Sequence, residues 1–372
     1  MTKNQGPNLG SDMWMFGSWL CVLQLVGNVN GKDKPYYHNT LCLSEASCRP
    51  LRLWNVRETP ATTPEEYHRL LGQKAELLPL KWSNLVTIIC QVKMSCVDQK
   101  ITLEMVGIKG TCFCPVCGLC HREWMECQQD DYVINDVIID NLAISVTHFG
   151  INAWHHMINL GYRVTLGHYY IKAEEDHIKK ARQRYIQDRF MEVGLLIDMV
   201  EPGKGSTLMD GNTAREGFDM PEFAAEVFGI PVEIVKGFGD LWDGLRSPIR
   251  IPPGQFFAKA QSVKRMYYDL LPWAIMPPTL HKVVDHGHLF LEKVPPTMTL
   301  SMFSEENLEA SHKRLRDDML NHSRQFSRKL RLNDVMERSV NRGDPIILAP
   351  DIQAHHGRKD GNHVVPEWIK SA

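Results

Sequence analysis

The stretch CFCPVCGLC, residues 112–120, sets four cysteines in nine positions and contains two overlapping C-x-x-C pairs, Cys114/Cys117 and Cys117/Cys120. A C-x-x-C turn delivers two thiolates from one tight loop, whereas a structural zinc ion takes four nitrogen or sulfur ligands in a tetrahedron. No separate C-x-x-C occurs elsewhere to complete the set. The natural place to seek the missing ligands is among the histidines.

The same stretch divides the chain by character. Upstream, residues 13–26 and 50–54 are strand-like, and LVTIICQVKMSCV (Leu85–Val97) is a β-branched run of the kind that forms a central strand buried on both faces. Thr63, Pro64 and Glu66 fit a capping box that opens a helix running to about Leu78. The first hundred residues thus read β…β-α-β. Downstream, helical periodicity takes over from Val133, with a highly charged segment from Lys172 to Arg189. The turn-rich EPGKGSTLMDGNTA (201–214) interrupts it, and helices are expected again over Pro221–Phe228 and Val232–Leu245. PIRIPPGQ (248–255) reads as a loop, Glu305–Arg331 as one charged helix, and the last twenty-odd residues as a loose tail.

Composition bounds the class. The chain has 372 residues, 43% hydrophobic and 23% charged, enough apolar side chain for a real core and too much for general disorder. A formal net charge of −2 supplies no global field toward nucleic acid or an anionic membrane, so any such contact must be local. The ten cysteines are irregularly spaced, which favours thiols and a metal in a reducing compartment over disulfides. The apolar run Trp14–Val26 is too short and too interrupted to span a bilayer, and no membrane partner is expected.

Among the sixteen histidines, His155/His156 and His355/His356 are adjacent pairs. Neighbours on a helix diverge by about 100° and do not readily share one ion. LHKVVDH places His281 and His286 at H-x4-H spacing, within the range that brings two imidazoles to one metal. Cys114, Cys117, His281 and His286 are thus a candidate Cys2His2 zinc site. A free-thiol loop beside surface histidines is the alternative from spacing alone.

Several blocks resemble Transib-type transposases, the family that includes the catalytic subunit of the V(D)J recombinase. They are INAWHHMINLGYR, RYIQDRF, GLLIDMVEPGKGSTLMDGNTAREGF, FAAEVFGI and the whole of residues 276–347, in a consistent order along nearly the entire chain. DGNTAR, and the H-x4-H followed by SEE-x-x-E, are the specific ones. The resemblance implies an α/β RNase H-like catalytic core, here incomplete at the amino terminus, interrupted by a large, mostly helical zinc-binding insertion. The expected parts are strands and a helix over 1–104, the insertion over 105–290, a catalytic helix and helical region over 291–345, and a tail over 346–372. It selects Cys114 and Cys117 as the thiolates, leaving Cys112 and Cys120 as bystanders.

The resemblance also implies an activity: metal-dependent DNA cleavage and strand transfer at transposon ends. Asp98, sixteen positions before Cys114, matches the family's second catalytic aspartate, and Glu309 in SEENLEASHK its glutamate, with Glu305 and Glu306 as fallbacks. Together they would hold Mg²⁺ or Mn²⁺, hard ions suited to carboxylate oxygens. No D-G block corresponds to the first aspartate, so cleavage is expected to be impaired. A non-catalytic, zinc-stabilised DNA-binding or interaction protein is the alternative.

Double-stranded DNA is the implied partner, with a possible homodimer and a nuclear location. Arg324, Arg328 and Arg331 at helical spacing, together with Lys313 and Arg314, are candidate phosphate contacts, as is Arg215 beside MDGNTAR. Lys179, Lys180, Arg182 and Arg184 form a weaker basic run, offset by Glu174, Glu175 and Asp176.

Overall fold

A computed structural model of the chain describes residues 16–20, 24–29, 32–38, 49–54, 59, 61–81, 87–88, 99–126, 132–198, 211–296, 298–304, 306–342 and 366–370. It divides into two compact units. One comprises Met1–Lys109, Asn141–Ala143 and Met302–Asn362, and the other Gly110–Asp140, Ile144–Ser301 and His363–Ala372.

In the first unit, β1 (Phe16–Leu20) pairs antiparallel with β4 (Arg49–Trp54), with a register irregularity between Ser18 and Trp19. β2 (Gln24–Val29) and β3 (Lys32–His38) form an antiparallel hairpin whose last pair is Val29 with Lys32. The two residues between them are Asn30-Gly31, the strongest short hairpin signal a sequence can carry. A third antiparallel pair joins β5 (Leu80–Lys81) to β6 (Thr87–Ile88).

These strands correct the expected α/β RNase H-like core. Among the described residues they form three separate two-stranded antiparallel pairs and no common sheet, and helices make up most of the structure. Of the presumed central strand 85–97, Thr87–Ile88 is described as strand and closes on the neighbouring Leu80–Lys81; residues 89–98 lie outside the described residues. Short hairpins satisfy their backbone groups locally, whereas a β-α-β unit needs parallel pairing across a long connection.

Helix α1 runs Thr62–Ala75, so Thr63 lies inside it rather than capping it. Thr59 supplies the cap instead: its hydroxyl accepts the backbone N–H groups of Ala61 at 3.3 Å and Thr62 at 3.2 Å. Buried Glu66 accepts from Arg69 Nε at 2.7 Å and from Arg52 of β4 at 3.2 Å. The short α2 spans Gln99–Met105. Helices α12 (Glu306–Asn321) and α13 (Arg328–Arg342) complete this unit, joined where fully buried Asp318 accepts from Arg338 Nε at 2.9 Å and also pairs with Arg342.

The second unit is helical: α3 (His121–Glu126), α4 (Asp136–Asn141), α5 (Val146–Gly161), α6 (Asp176–Glu192), α7 (Gly211–Phe218), α8 (Pro221–Phe228), α9 (Val232–Leu245), α10 (Pro253–Leu270) and α11 (Pro278–Glu292). α8 and α9 occupy the expected spans, and Pro231 and the αL residue Gly229 explain why they are separate. The loop at 248–252 ends sooner than expected, because Pro253 opens α10 at a position where its missing N–H costs nothing.

Trp154 of α5 is fully buried and packs edge-on against Phe190 and Phe218, with centroids 5.8 and 5.2 Å away. Gly217 of α7 lets that helix approach: a Cβ there would fall 2.2 Å from the Trp154 ring. α10 and α11 pack side by side, and Gln261 Nε2 donates to the Val284 carbonyl at 3.2 Å. Helix α11 carries His281 and His286. No helix among the described residues is long and apolar enough to cross a membrane.

Candidate metal centre

The cysteine loop is a tight backbone turn. Cys114 N–H donates to the Leu119 carbonyl at 2.9 Å, Gly118 N–H to the Cys114 carbonyl at 2.8 Å, and Phe113 bridges Cys120 antiparallel. Gly118 sits at φ +74°, a conformation that glycine adopts without a Cβ penalty. The turn points Cys114 and Cys117 inward, to 0% and 8% exposure, while Cys112 is exposed and Cys120 half-buried. Beyond it, Glu123 caps the start of α3 by accepting the Cys120 N–H at 2.7 Å.

The other half comes from α11, where His281 and His286 are 0% and 1% exposed. Five residues turn a helix by about 140°, so the two side chains reach round from opposite sides of one face. Their rings meet nearly perpendicular, with centroids 5.0 Å apart. One donor atom from each of Cys114, Cys117, His281 and His286 lies within 4.8 Å of the others, and all four residues are buried. Cys117 Sγ stands 3.5 Å from His281 Nε2. In tetrahedral zinc sites, with bonds of about 2.0–2.3 Å, donors sit roughly 3.3–3.8 Å apart.

The electrostatics suit a cation. The hydrogen bond from Cys114 holds the Cys117 thiol well below its ordinary range, against the effect of burial and with help from His281 and His286. Burial, followed by the hydrogen bond with Cys117 and then that neighbour's charge, pushes Cys114 up. Two thiols this close do not both ionise without a positive charge between them. His286 Nε2 is buried without a hydrogen-bond partner, an orphan that a bound metal would satisfy. A buried set of two sulfurs and two nitrogens can hold a metal such as zinc.

Three neighbours of the site carried no sequence expectation. Trp124 of α3 stacks on His281, and Tyr132 presents its edge to both histidines at 5.8 and 5.1 Å. Asp285, buried to 1%, places Oδ2 2.6 Å from His281 Nδ1. The H-D spacing of four within LHKVVDH was the available signal for Asp285; the aromatic neighbours have none, because their contact is tertiary.

The carboxylate site is another matter. Asp98 lies outside the described residues. Glu309 falls within α12, but its side chain lies outside them, as does that of Lys313. The expected single helix Glu305–Arg331 is corrected: it is broken at 322–327, so Arg324 shares no helical face with Arg328 and Arg331. At the break Asp334 accepts both the backbone N–H of Arg324 at 2.8 Å and its Nε at 3.1 and 3.0 Å.

The remaining basic residues divide in the same way. Arg331 Nη2 donates to the Gln325 carbonyl at 3.0 Å, and Arg215 Nη1 to Asn212 at 3.1 Å. Arg314 and Arg328 are exposed. In the weaker run, Arg182 is committed to the carbonyls of Gly161 and Val227, and Lys180 pairs with Asp176 at 2.7 Å. Among the other histidines, His156 is buried against the Tyr267 hydroxyl at 2.8 Å.

No protein-family model matches the sequence, and a search of curated proteins finds no match.

Proposed function

We propose that this chain is a zinc-stapled, double-stranded DNA-binding protein related to Transib-type transposases. The observation that carries the zinc part is the convergence of four buried protein donors from the 114–117 turn and α11. Four protein ligands are the complement of a structural site, whereas a catalytic zinc keeps one position for water or substrate. Zinc here would close the helical unit and couple its stability to metal.

The DNA part rests on the resemblance in DGNTAR and SEENLEA and on exposed Arg314 and Arg328. A nuclear location and a homodimer follow from the same resemblance. Fluorescence anisotropy of a labelled duplex, across salt from about 50 to 200 mM, tests it. Binding should fall steeply with salt, and Arg328→Ala should weaken it on every sequence and reduce the salt slope by about one. Absence of binding at the lowest salt would overturn the DNA reading and leave the zinc reading standing.

A second reading, Mg²⁺- or Mn²⁺-dependent cleavage and strand transfer at element ends, is favoured by the position of SEENLEA at the start of helix α12. In that reading Asp98 and Glu309 hold the catalytic ions. Nicking of a duplex in Mn²⁺ that disappears in Asp98→Ala would support it; equal nicking by both proteins would reject it.

A further inference from the structure

Asp285 is the one buried carboxylate in contact with a metal-site histidine among the described residues, and its surroundings are unusually complete. Oδ2 lies 2.6 Å from His281 Nδ1, off the N–H direction and so short of a hydrogen bond, and neither atom has a hydrogen-bond partner elsewhere in the protein. Oδ1 accepts from Lys264 Nζ at 2.7 Å and from Gln261 Nε2 at 3.1 Å. Both donors stand on α10, the helix packed against α11. On the far side of the same imidazole, Nε2 faces Cys117 Sγ.

We propose that Asp285 is the positioning residue of the metal centre and that Lys264 is its charge counterweight. With Nδ1 turned to a carboxylate, His281 carries its proton there and presents the Nε2 lone pair to the metal. The orientation is held from outside, because Gln261 and Lys264 anchor Asp285 to a second helix. Charge closes as well: two thiolates balance a divalent ion, and Lys264 balances Asp285. A buried centre without Lys264 would keep an uncompensated negative charge, which is costly away from water.

This inference rests on the Cys2His2 reading, and the experiment separates the two. The full chain is loaded with Zn²⁺ or Co²⁺, and affinity is measured by chelator competition for wild type, Asp285→Ala, Asp285→Asn, Lys264→Met and the Asp285→Asn/Lys264→Met double variant. Asp285→Ala should bind roughly 10–100-fold more weakly, and Asp285→Asn, which keeps an acceptor oxygen, should recover part of that loss. The visible Co²⁺ spectrum and the ¹⁵N signals of the His281 ring should shift in Asp285→Ala, which a merely structural role would not require.

In urea unfolding of the same proteins, the double variant should be more stable than Lys264→Met alone, because it removes the orphaned buried charge. Strict additivity in that cycle overturns the counterweight role, and it can be read even if Asp285→Ala does not fold. Affinity within twofold of wild type together with an unchanged Co²⁺ spectrum in Asp285→Ala overturns the positioning role. A wild-type chain that takes up less than one equivalent of either metal overturns the Cys2His2 reading beneath both.

Discussion

The indole of Trp124 lies flat on the imidazole of His281, with ring centroids 4.2 Å apart and planes inclined by 10°. Trp124 is 1% exposed, so it is a wall of the metal centre as much as a core residue. Trp124→Ala should cost about 3–5 kcal/mol of stability and loosen the metal, whereas Trp124→Phe should retain most of both. Urea unfolding with and without zinc measures each. A variant with wild-type stability would mean that the stack contributes nothing.

Metal removal should discriminate among the cysteines. Cys114→Ser and Cys117→Ser should lose the bound equivalent, while Cys112→Ser and Cys120→Ser should keep it, as their side chains stay outside the buried set. With free zinc a thousandfold above its Kd, chelation should lower stability by about 4 kcal/mol. Metal content and thermal melts report this, and equal zinc in all four variants would contradict the assignment.

Acid sensitivity should trace partly to His156. Burial pushes its imidazole down to about 3, with nearby Arg163 and His155 adding to the effect. The unfolded chain takes up that proton near pH 6.5. Between those values the unfolded state therefore binds more protons. The contribution is fully present above about pH 6.5 and declines as pH falls toward 3, by up to about 1.4 kcal/mol per pH unit. Comparing His156→Leu with wild type across this window isolates the effect: the variant's stability should depend less steeply on pH, and parallel curves would refute it.

Helix contact distances set a second contrast. A Cβ on Gly150 of α5 would fall 2.0 Å from the Trp242 ring of α9, whose indole N–H donates to the Val146 carbonyl at 3.0 Å. Gly150→Ala should therefore destabilise by about 1–3 kcal/mol or more. Gly254→Ala in the first turn of α10 meets nothing within 4 Å and should stabilise by about 0.4–1 kcal/mol. Denaturant midpoints distinguish the two.

The local features were legible in the residues. Pro221, Pro231 and Gly229 mark the limits of α8 and α9 through backbone constraints that act over a few positions. The β-branched character of LVTIICQVKMSCV invited a central strand, but propensity describes a fit to a pleated surface and cannot name the partner strand. Asn30-Gly31 was the stronger signal, since a two-residue turn by its own geometry folds the chain back into antiparallel pairing. The break between α12 and α13 was illegible for a different reason: the contact that holds it, Asp334 with Arg324, spans ten positions.

By itself the sequence determined the ligand types, the C-x-x-C pair and the H-x4-H spacing of the two histidines, because thiol and imidazole chemistry and residue spacing are short-range properties. Tertiary structure brought the named cysteines, Cys114 and Cys117, inward and onto α11 across 164 positions. It also decided that Asp285, Lys264 and Trp124 surround the site. Those outcomes follow from burial: the packing of α10 on α11 removes water from the centre, and each polar group left there must then find a partner inside the protein.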